Sequence, residues 1–310
     1  MTMKGVYFNP SKDIRSLEGK VILVTGGNSG LGKQSILELA KHNPAEIFLG
    51  ARSTKKAQEA IDDIKRQVPN APPIKVIQMD LSSFESIHEA AKTFHQHSQR
   101  LDLLLLNAGI MIVPHEITKD GYEIQFGTNH MGHAFLTRLL LPTLLKTAEE
   151  PKSDVRVVVL SSSAHGYAPK SQGINFDTLK NKGEKLSPTV LYGQSKLANI
   201  LYAREFARRY PQIKVSAIHP GVVNTNLTNT LKENSFPMRV VTTMFSAIVG
   251  VHVEKGVLNQ LWGSVSPNVV SGEYYEPVGL AGRGTKWTND SKLAEKLWTW
   301  TEKELDTKVQ

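Results

Sequence analysis

Short apolar runs alternate with longer stretches of helical periodicity along nearly the whole chain, and no other feature restricts the possible folds so strongly. Such alternation is the signature of βαβ units and a parallel sheet. Strands are predicted at 21–25, 46–50, 74–79, 101–106, 156–160, 214–218 and 272–276. Several are apolar throughout, as strands covered on both faces must be. Helices are predicted at 31–41, 55–67, 84–97, 122–145, 190–210, 254–262 and 291–305. Crossovers between parallel strands are right-handed. The expected architecture is therefore α/β, one doubly wound parallel sheet of about seven strands with helices on both faces. Hydrophobic residues fill 40% of the 310 positions, enough for a core of that size.

Residues 1–18 read as an N-terminal arm and 19–310 as a single domain. The arm is polar and has no apolar stretch of the secretory kind. No apolar run approaches the roughly 18 residues that span a bilayer, so no integral membrane segment is expected. The nearest, 240–253, is short and carries Thr242, Thr243, Ser246 and His252. Cysteine is absent, which excludes disulfides, thiolate nucleophiles and Cys-ligated metals. A cysteine-free chain suits a reducing compartment, and a cytoplasmic location is expected. The formal charge is +8, but the Lys and Arg residues are dispersed. Without a basic block interleaved with aromatics, nucleic acid is not an expected partner. A basic surface also helps to attract an anionic small molecule.

The first predicted strand runs into Thr25-Gly26-Gly27-Asn28-Ser29-Gly30-Leu31-Gly32, and a helix follows. Glycines permit a tight turn and close approach of backbone to a pyrophosphate. The helix amino terminus then offers free N–H groups to an anion. The spacing is looser than G-x-G-x-x-G, and an ordinary strand–helix turn has a similar composition. Its position after the first strand favours a dinucleotide. The second strand ends in Gly50-Ala51-Arg52-Ser53. An acid there would hold a ribose 2′-hydroxyl and select NAD. Arg52 is instead a planar donor suited to a 2′-phosphate, so NADP(H) is expected over NAD(H), with Lys33, Lys55 and Lys56 as auxiliary cations. A solvent-facing arginine is the plainer alternative. Asp80, followed by Leu81, ends the third strand, where its carboxylate would meet an adenine amino group or cap the next helix. Asn107-Ala108-Gly109 ends the fourth, either to let a cofactor lie against the sheet edge or simply to turn the chain.

Tyr192 and Lys196 stand four residues apart in a helical pattern, so a phenol and an ammonium share one face. A free phenol, with a pKa of about 10, is a poor base at neutral pH. A neighbouring cation is expected to lower that value, which would let Tyr192 exchange a proton with a substrate oxygen. His130, His133, His165 and His219 show no recognised zinc spacing. Surface or core roles are expected for them, and no metal.

Taken in order, TGGNSGLG at 25–32, NAG at 107–109, a serine after the fifth strand, Y-x-x-x-K at 192–196 and HPGVVNT at 219–225 resemble the motifs of the short-chain dehydrogenase/reductase family. The run TKDGYEIQFGTNHMGHAFLT at 118–137 further resembles the branch that contains retinol dehydrogenases and WW-domain oxidoreductases. The resemblance implies a Rossmann-type fold and hydride transfer between a nicotinamide and an alcohol or carbonyl. It implies Tyr192 as the acid/base and Lys196 as a second ligand of the nicotinamide ribose. Ser162 would hold the substrate oxygen, with Ser161 and Ser163 one place to either side. Asn129 would hold a proton-relay water, or kink its helix, or both. Gly26, Asn28, Ser29, Gly30, Leu31 and Gly32 would surround the pyrophosphate. Pro220 and Gly221 would turn beneath the nicotinamide, with the Val223 backbone and Thr225 hydroxyl on its carboxamide.

Two features depart from the compact members of that family. The interval from Ser162 to Tyr192 is long, and its Ile174-Asn175-Phe176-Asp177 resembles an insert of the retinol dehydrogenase branch. It is expected to shape the pocket mouth. Ala134 stands where the branch often has Phe. The segment 224–253 is expected to be a substrate lid, a core helix being the alternative. Its Phe236, Met238, Val240, Val241, Met244, Phe245 and Ile248 imply a hydrophobic small-molecule substrate. The competing functions are a non-redox dehydratase or epimerase using the same site, and a cofactor-binding regulatory protein. The intact Ser162, Tyr192 and Lys196 weigh against the latter.

Overall fold

A computed structural model describes residues 5–221 and 252–308. Strands β1 (Val21–Thr25), β2 (Glu46–Ala51), β3 (Ile74–Gln78), β4 (Leu103–Leu106), β5 (Arg156–Leu160), β6 (Lys214–Ile218) and β7 (Tyr274–Glu276) run parallel. An antiparallel β8 (Leu280–Ala281) completes the edge, in the order β3-β2-β1-β4-β5-β6-β7-β8. The sheet has eight strands, against an expectation of about seven. β8 has two residues, too few to show a period, and Gly279, with φ +67°, makes the turn before it.

The chain leaves β1 in one direction for β2 and β3, then returns to place β4 on the other side. Open α/β sheets bind ligands outside the carboxyl ends of their strands at such a reversal. The register sets Thr25 opposite Gly50 and Val24 opposite Leu105, so the turns leaving β1, β2 and β4 lie level with one another.

Alternation along each strand feeds two cores. Val21 and Leu23 enter one, Ile22 and Val24 the other. The first is covered by α4 (Phe84–His97), α6 (Gly132–Ala148), α7 (Pro188–Arg209) and, at the C-terminal end, Ser291–Asp306. The second lies under α2 (Gly30–Ala40), α3 (Thr54–Gln67) and the helix Leu258–Val265. Ser53, Ser83, Ser187 and Asp290 each accept a backbone N–H from the first turn of the helix they precede, the usual way to satisfy an otherwise free donor.

Two segments differ from their sequence patterns. The predicted helix over 122–145 is broken into α5 (Ile124–Phe126), a π turn (Gly127–Met131) and α6. Close approach explains the glycines that flank the break: a Cβ at Gly132 would lie 2.3 Å from the Leu81 carbonyl oxygen, and one at Gly127 2.4 Å from Thr118 Cγ2. The arm is also more than a tail. It carries α1 (Pro10–Asp13), buries Phe8 and Ile14, and donates from the Val6 amide to the Val278 carbonyl at 2.8 Å. Among the described residues, no helix is long and apolar enough to cross a membrane.

Burial makes the fold sensitive to acid. His130 and His133 are pushed down to about 3 from an ordinary value of 6.5 because their charged forms would be desolvated. Unfolded, both take up protons near 6.5. The unfolded chain thus binds more protons across that window, and stability falls as pH drops through it. The urea midpoint is expected to decline steadily from about pH 6.5 to about pH 4. A midpoint constant over that range would contradict neutral burial of these two rings.

Candidate active site

The turn after β1 is shaped by its glycines. Gly26 and Gly30 have φ of +66° and +52°, the left-handed region that side chains resist. A Cβ at Gly32 would fall 2.3 Å from the Gly26 carbonyl oxygen and 2.6 Å from Asn107 Nδ2. Asn28, Ser29 and Leu31 are half-buried between them. Ser29 precedes α2 but makes no side-chain cap, and the first turn of α2 holds no acid. The helix therefore opens with backbone donors left for an outside anion. The residues present fit a dinucleotide pyrophosphate.

At the end of β2, Arg52 is exposed, and among the described residues it forms no ion pair with a carboxylate. Lys55 and Lys56 follow in the first turn of α3, which has no acid. Cations are misplaced at a helix amino terminus on stability grounds, and a phosphate there would reverse the sign of that interaction. Lys33 points elsewhere, to Asp63 at 2.5 Å.

Asp80 does not cap α4; Ser83 does. Asp80 Oδ1 accepts from the Ser82 amide at 3.0 Å and from its hydroxyl at 2.7 Å. Leu81 is buried beside Gly132. After β4, the amides of Asn107 and Ala108 both donate to Thr25 Oγ1 at 3.0 Å. Gly109 has to be small: a Cβ would lie 3.0 Å from Asn129 Oδ1 and 3.4 Å from Lys196 Nζ. This places the end of β4 against two of the sequence-predicted catalytic residues.

Asn129 is fully buried within the π turn, a distortion that recurs at functional sites. Its Oδ1 accepts from the Ile110 amide at 2.8 Å, and its Nδ2 donates to the Ile110 carbonyl at 2.9 Å and to Ser195 Oγ at 3.0 Å. Ser195 Oγ in turn donates to the Tyr192 carbonyl at 2.8 Å. Asn129 thus ties the loop after β4 to α7, whose face carries both Tyr192 and Lys196.

The three serines after β5 have distinct surroundings. Ser161 is buried and donates to the Lys196 carbonyl at 2.7 Å. Ser163 is exposed. Ser162 is half-buried; its Oγ accepts from the Ala164 amide at 3.1 Å, and it lies near enough to the Tyr192 phenol to favour the ionised form. The His165 ring holds the Ser162 carbonyl from Nδ1 at 2.8 Å.

Tyr192 and Lys196 are both buried, with Nζ 5.7 Å from the phenol ring centre. Lys196 Nζ donates to the Leu160 carbonyl at 3.2 Å. Contrary to the expectation from spacing, the ammonium does not bring the phenol below its ordinary value. Burial pushes the Tyr192 phenol up to about 12, with Ser162 pulling the other way, and burial pushes Lys196 down to about 8. Both groups sit where losing water disfavours their charged forms more than proximity favours them.

A depressed lysine has a consequence for stability. Unfolded Lys196 holds its proton to about 10.5, so the unfolded chain binds more protons between about 8 and 10.5. Stability therefore rises with pH in that window, and below it the fold carries the full burden of a buried charge. Lys196→Met is expected to raise the thermal midpoint at pH 7 while turnover collapses. Calorimetry showing a lowered midpoint would contradict this.

The insert is fixed to the same helix. Gln194 accepts from the Asn175 amide through Oε1 at 2.7 Å and donates to Thr178 Oγ1 at 3.3 Å. Gln125 joins α7 to the loop after β4, donating to the Pro188 carbonyl at 2.9 Å and accepting from the Ile112 amide at 2.7 Å. Pro220 and Gly221 leave β6 as expected, Gly221 with φ +91°. Val223, Thr225 and the lid segment up to residue 251 lie outside the described residues. The sequence reading gave no site role to Thr25, Gln125 or Gln194. They are ordinary polar residues whose partners are mostly remote in sequence, and nothing local marks them.

A profile of the family described as short chain dehydrogenase matches residues 20–235. A short-chain dehydrogenase/reductase of Aspergillus calidoustus is 39% identical, over 94% of this chain and 95% of its own. Human retinol dehydrogenase 14 is 35% identical, over 92% of this chain and 86% of its own. The crystal structure of a Mycobacterium paratuberculosis protein superposes with a TM-score of 0.74 at 28% identity, covering 98% of both chains. The chain belongs to the short-chain dehydrogenase family of oxidoreductases.

Proposed function

We propose that this protein is an NADP-dependent carbonyl reductase or alcohol dehydrogenase acting on a hydrophobic small molecule, with Tyr192 as its acid/base. One observation carries the proposal. Ser162 stands near the Tyr192 phenol beyond β5, with Lys196 Nζ 5.7 Å from the phenol ring centre one turn along α7, at the same sheet edge as the glycine-lined turn of β1. When bound, the nicotinamide supplies or receives the hydride.

In the reducing direction the Ser162 and Tyr192 hydroxyls donate hydrogen bonds to the substrate carbonyl oxygen. Negative charge grows on that oxygen, and donors already in place stabilise it without reorganising. Tyr192 gives up its proton to form the alcohol. The phenolate left behind is stabilised by Lys196, whose charge then has a partner. A phenol at about 12 is a proton donor at neutral pH, which suits this direction. Asn129 keeps α7 and the loop after β4 in register through Ile110 and Ser195.

Arg52, with Lys55 and Lys56, supports NADP(H) over NAD(H), since three cations without an acid suit a 2′-phosphate. Relatives named retinol dehydrogenases suggest an apolar alcohol or aldehyde as substrate. The test is absorbance of reduced nicotinamide with the full chain, NADPH and a panel of retinal, aromatic ketones and steroid ketones. Substrate-dependent loss is expected for at least one panel member. NADPH that binds but is consumed by none would contradict the proposal.

A further inference from the structure

His133 lies four residues beyond Asn129, on the first turn of α6, fully enclosed and remote from solvent. Its Nδ1 faces the Asn129 carbonyl at 3.0 Å and its Nε2 faces Thr25 Oγ1 at 2.9 Å. A carbonyl only accepts, so Nδ1 carries the proton and Nε2 is bare. The Thr25 hydroxyl then donates its one proton to Nε2 at 2.9 Å rather than to the more distant Leu105 carbonyl at 3.5 Å. Its oxygen is free to accept the Asn107 and Ala108 amides, as it does at 3.0 Å each. Every bond in the chain has a fixed direction, and every group has a partner.

The ends of this chain are the two halves of the site. Thr25 closes β1 immediately before Gly26, and Gly26 packs on Ala108 so tightly that a Cβ would lie 3.1 Å from its Cα. Asn129, at the other end, holds Ile110 and reaches Tyr192 through Ser195. The π turn supplies the geometry. Its widened ladder runs from the Gly132 amide to the Gly127 carbonyl, and the His133 ring takes up the Asn129 carbonyl from the side.

We infer that His133 is a positioning residue that joins the dinucleotide turn to the acid/base centre, so that filling of the turn is transmitted through Thr25 and His133 to Asn129. The inference rests on the proposed function for the meaning of the two ends, while the linkage itself is a property of the fold. It requires no proton transfer, because the ring stays neutral: burial, with Lys196 nearby, holds it far below its ordinary value.

The linkage can be read without turnover. The probe is adenosine 5′-diphosphate carrying a 2′-phosphate, which fills the turn but has neither the nicotinamide nor its ribose to touch Asn129 or Lys196. The reporter is the Asn129 side-chain amide signal in nitrogen-labelled protein, assigned with Asn129→Asp. Saturating probe is expected to shift this signal in the wild type. The shift should vanish in His133→Leu and in Thr25→Val. It should return in His133→Gln, whose amide can donate to the carbonyl and accept from the hydroxyl. In labelled-histidine spectra, His133 should be the Nδ1–H tautomer from pH 5 to pH 9. Where a substrate is turned over, His133→Leu should lose kcat by about 10²-fold, the scale of a small misplacement, with the KM for NADPH little changed.

A residue that only fills space would lower the thermal midpoint of His133→Leu and leave the probe response and kcat intact. That outcome, or the opposite tautomer, would overturn the inference. Failure of the functional proposal looks different. Tyr192→Phe would be fully active, or the wild type would reduce nothing, while the probe response and its loss in His133→Leu would stand. If His133→Leu does not fold, Thr25→Val and the tautomer decide the matter.

Discussion

Replacing Tyr192 by Phe is expected to remove nearly all turnover and leave NADPH affinity close to wild type. The ring and its packing on Lys196 are kept, and the only loss is the hydroxyl near Ser162. Acid/base groups contribute on the order of 10²–10⁴-fold, and Tyr192 is the phenol whose ionisation Ser162 favours. Stability is not expected to suffer. The hydroxyl is buried, and its ionised form is already disfavoured there. Steady-state rates alongside NADPH fluorescence titration would check both halves. A variant that keeps more than about a tenth of wild-type turnover would place the acid/base elsewhere.

Arg52→Ala is expected to weaken NADPH while leaving NADH almost unchanged, because only the former carries the 2′-phosphate. A hydrogen bond to a charged group contributes about 1.5–3 kcal/mol. Arg52 is exposed, so screening favours the lower end, or roughly a tenfold loss of affinity. The loss should shrink as salt is raised. Lys55 and Lys56 stand on the same helix turn, and removing all three should invert the preference. Equal affinities for NADPH and NADH in the wild type would contradict this assignment.

The legible and illegible parts of the chain differ in a physical way. The sheet and its helices were readable because their periods of two and 3.6 are written in the order of apolar residues. The glycine turn was readable because its composition is tied to positive φ and close approach, as at Gly26 and Gly32. The break at 127–131 was not, since both sides of it are helical and apolar. What demands the break is the packing of Gly127 on Thr118 and of Gly132 on Leu81. β8 was too short to be seen.

Within the site, the pairing of Tyr192 with Lys196 followed from helical spacing alone. Their ionisation did not. Spacing announces a nearby charge but says nothing of how much water the fold removes, and here burial dominates both groups. The serines show the same limit. Three in a row are equivalent in sequence, and only the exit direction of β5 makes Ser161 inward, Ser163 outward and Ser162 adjacent to the phenol. Thr25 and His133 meet across 108 positions, a separation over which no local pattern operates.

The central proposal is hydride transfer to a carbonyl, and isotope transfer tests it most directly. NADPH carrying deuterium at both C4 positions of the nicotinamide would be incubated with the full chain and the panel of apolar carbonyl compounds. Products would be read by mass spectrometry. Deuterium is expected on the carbinol carbon of the product alcohol in amounts matching the NADPH consumed, and its appearance should be suppressed in Tyr192→Phe. A product that forms with the cofactor unchanged, as in a dehydration or epimerisation, would contradict hydride transfer to the carbonyl, as would NADPH that is bound but never oxidised.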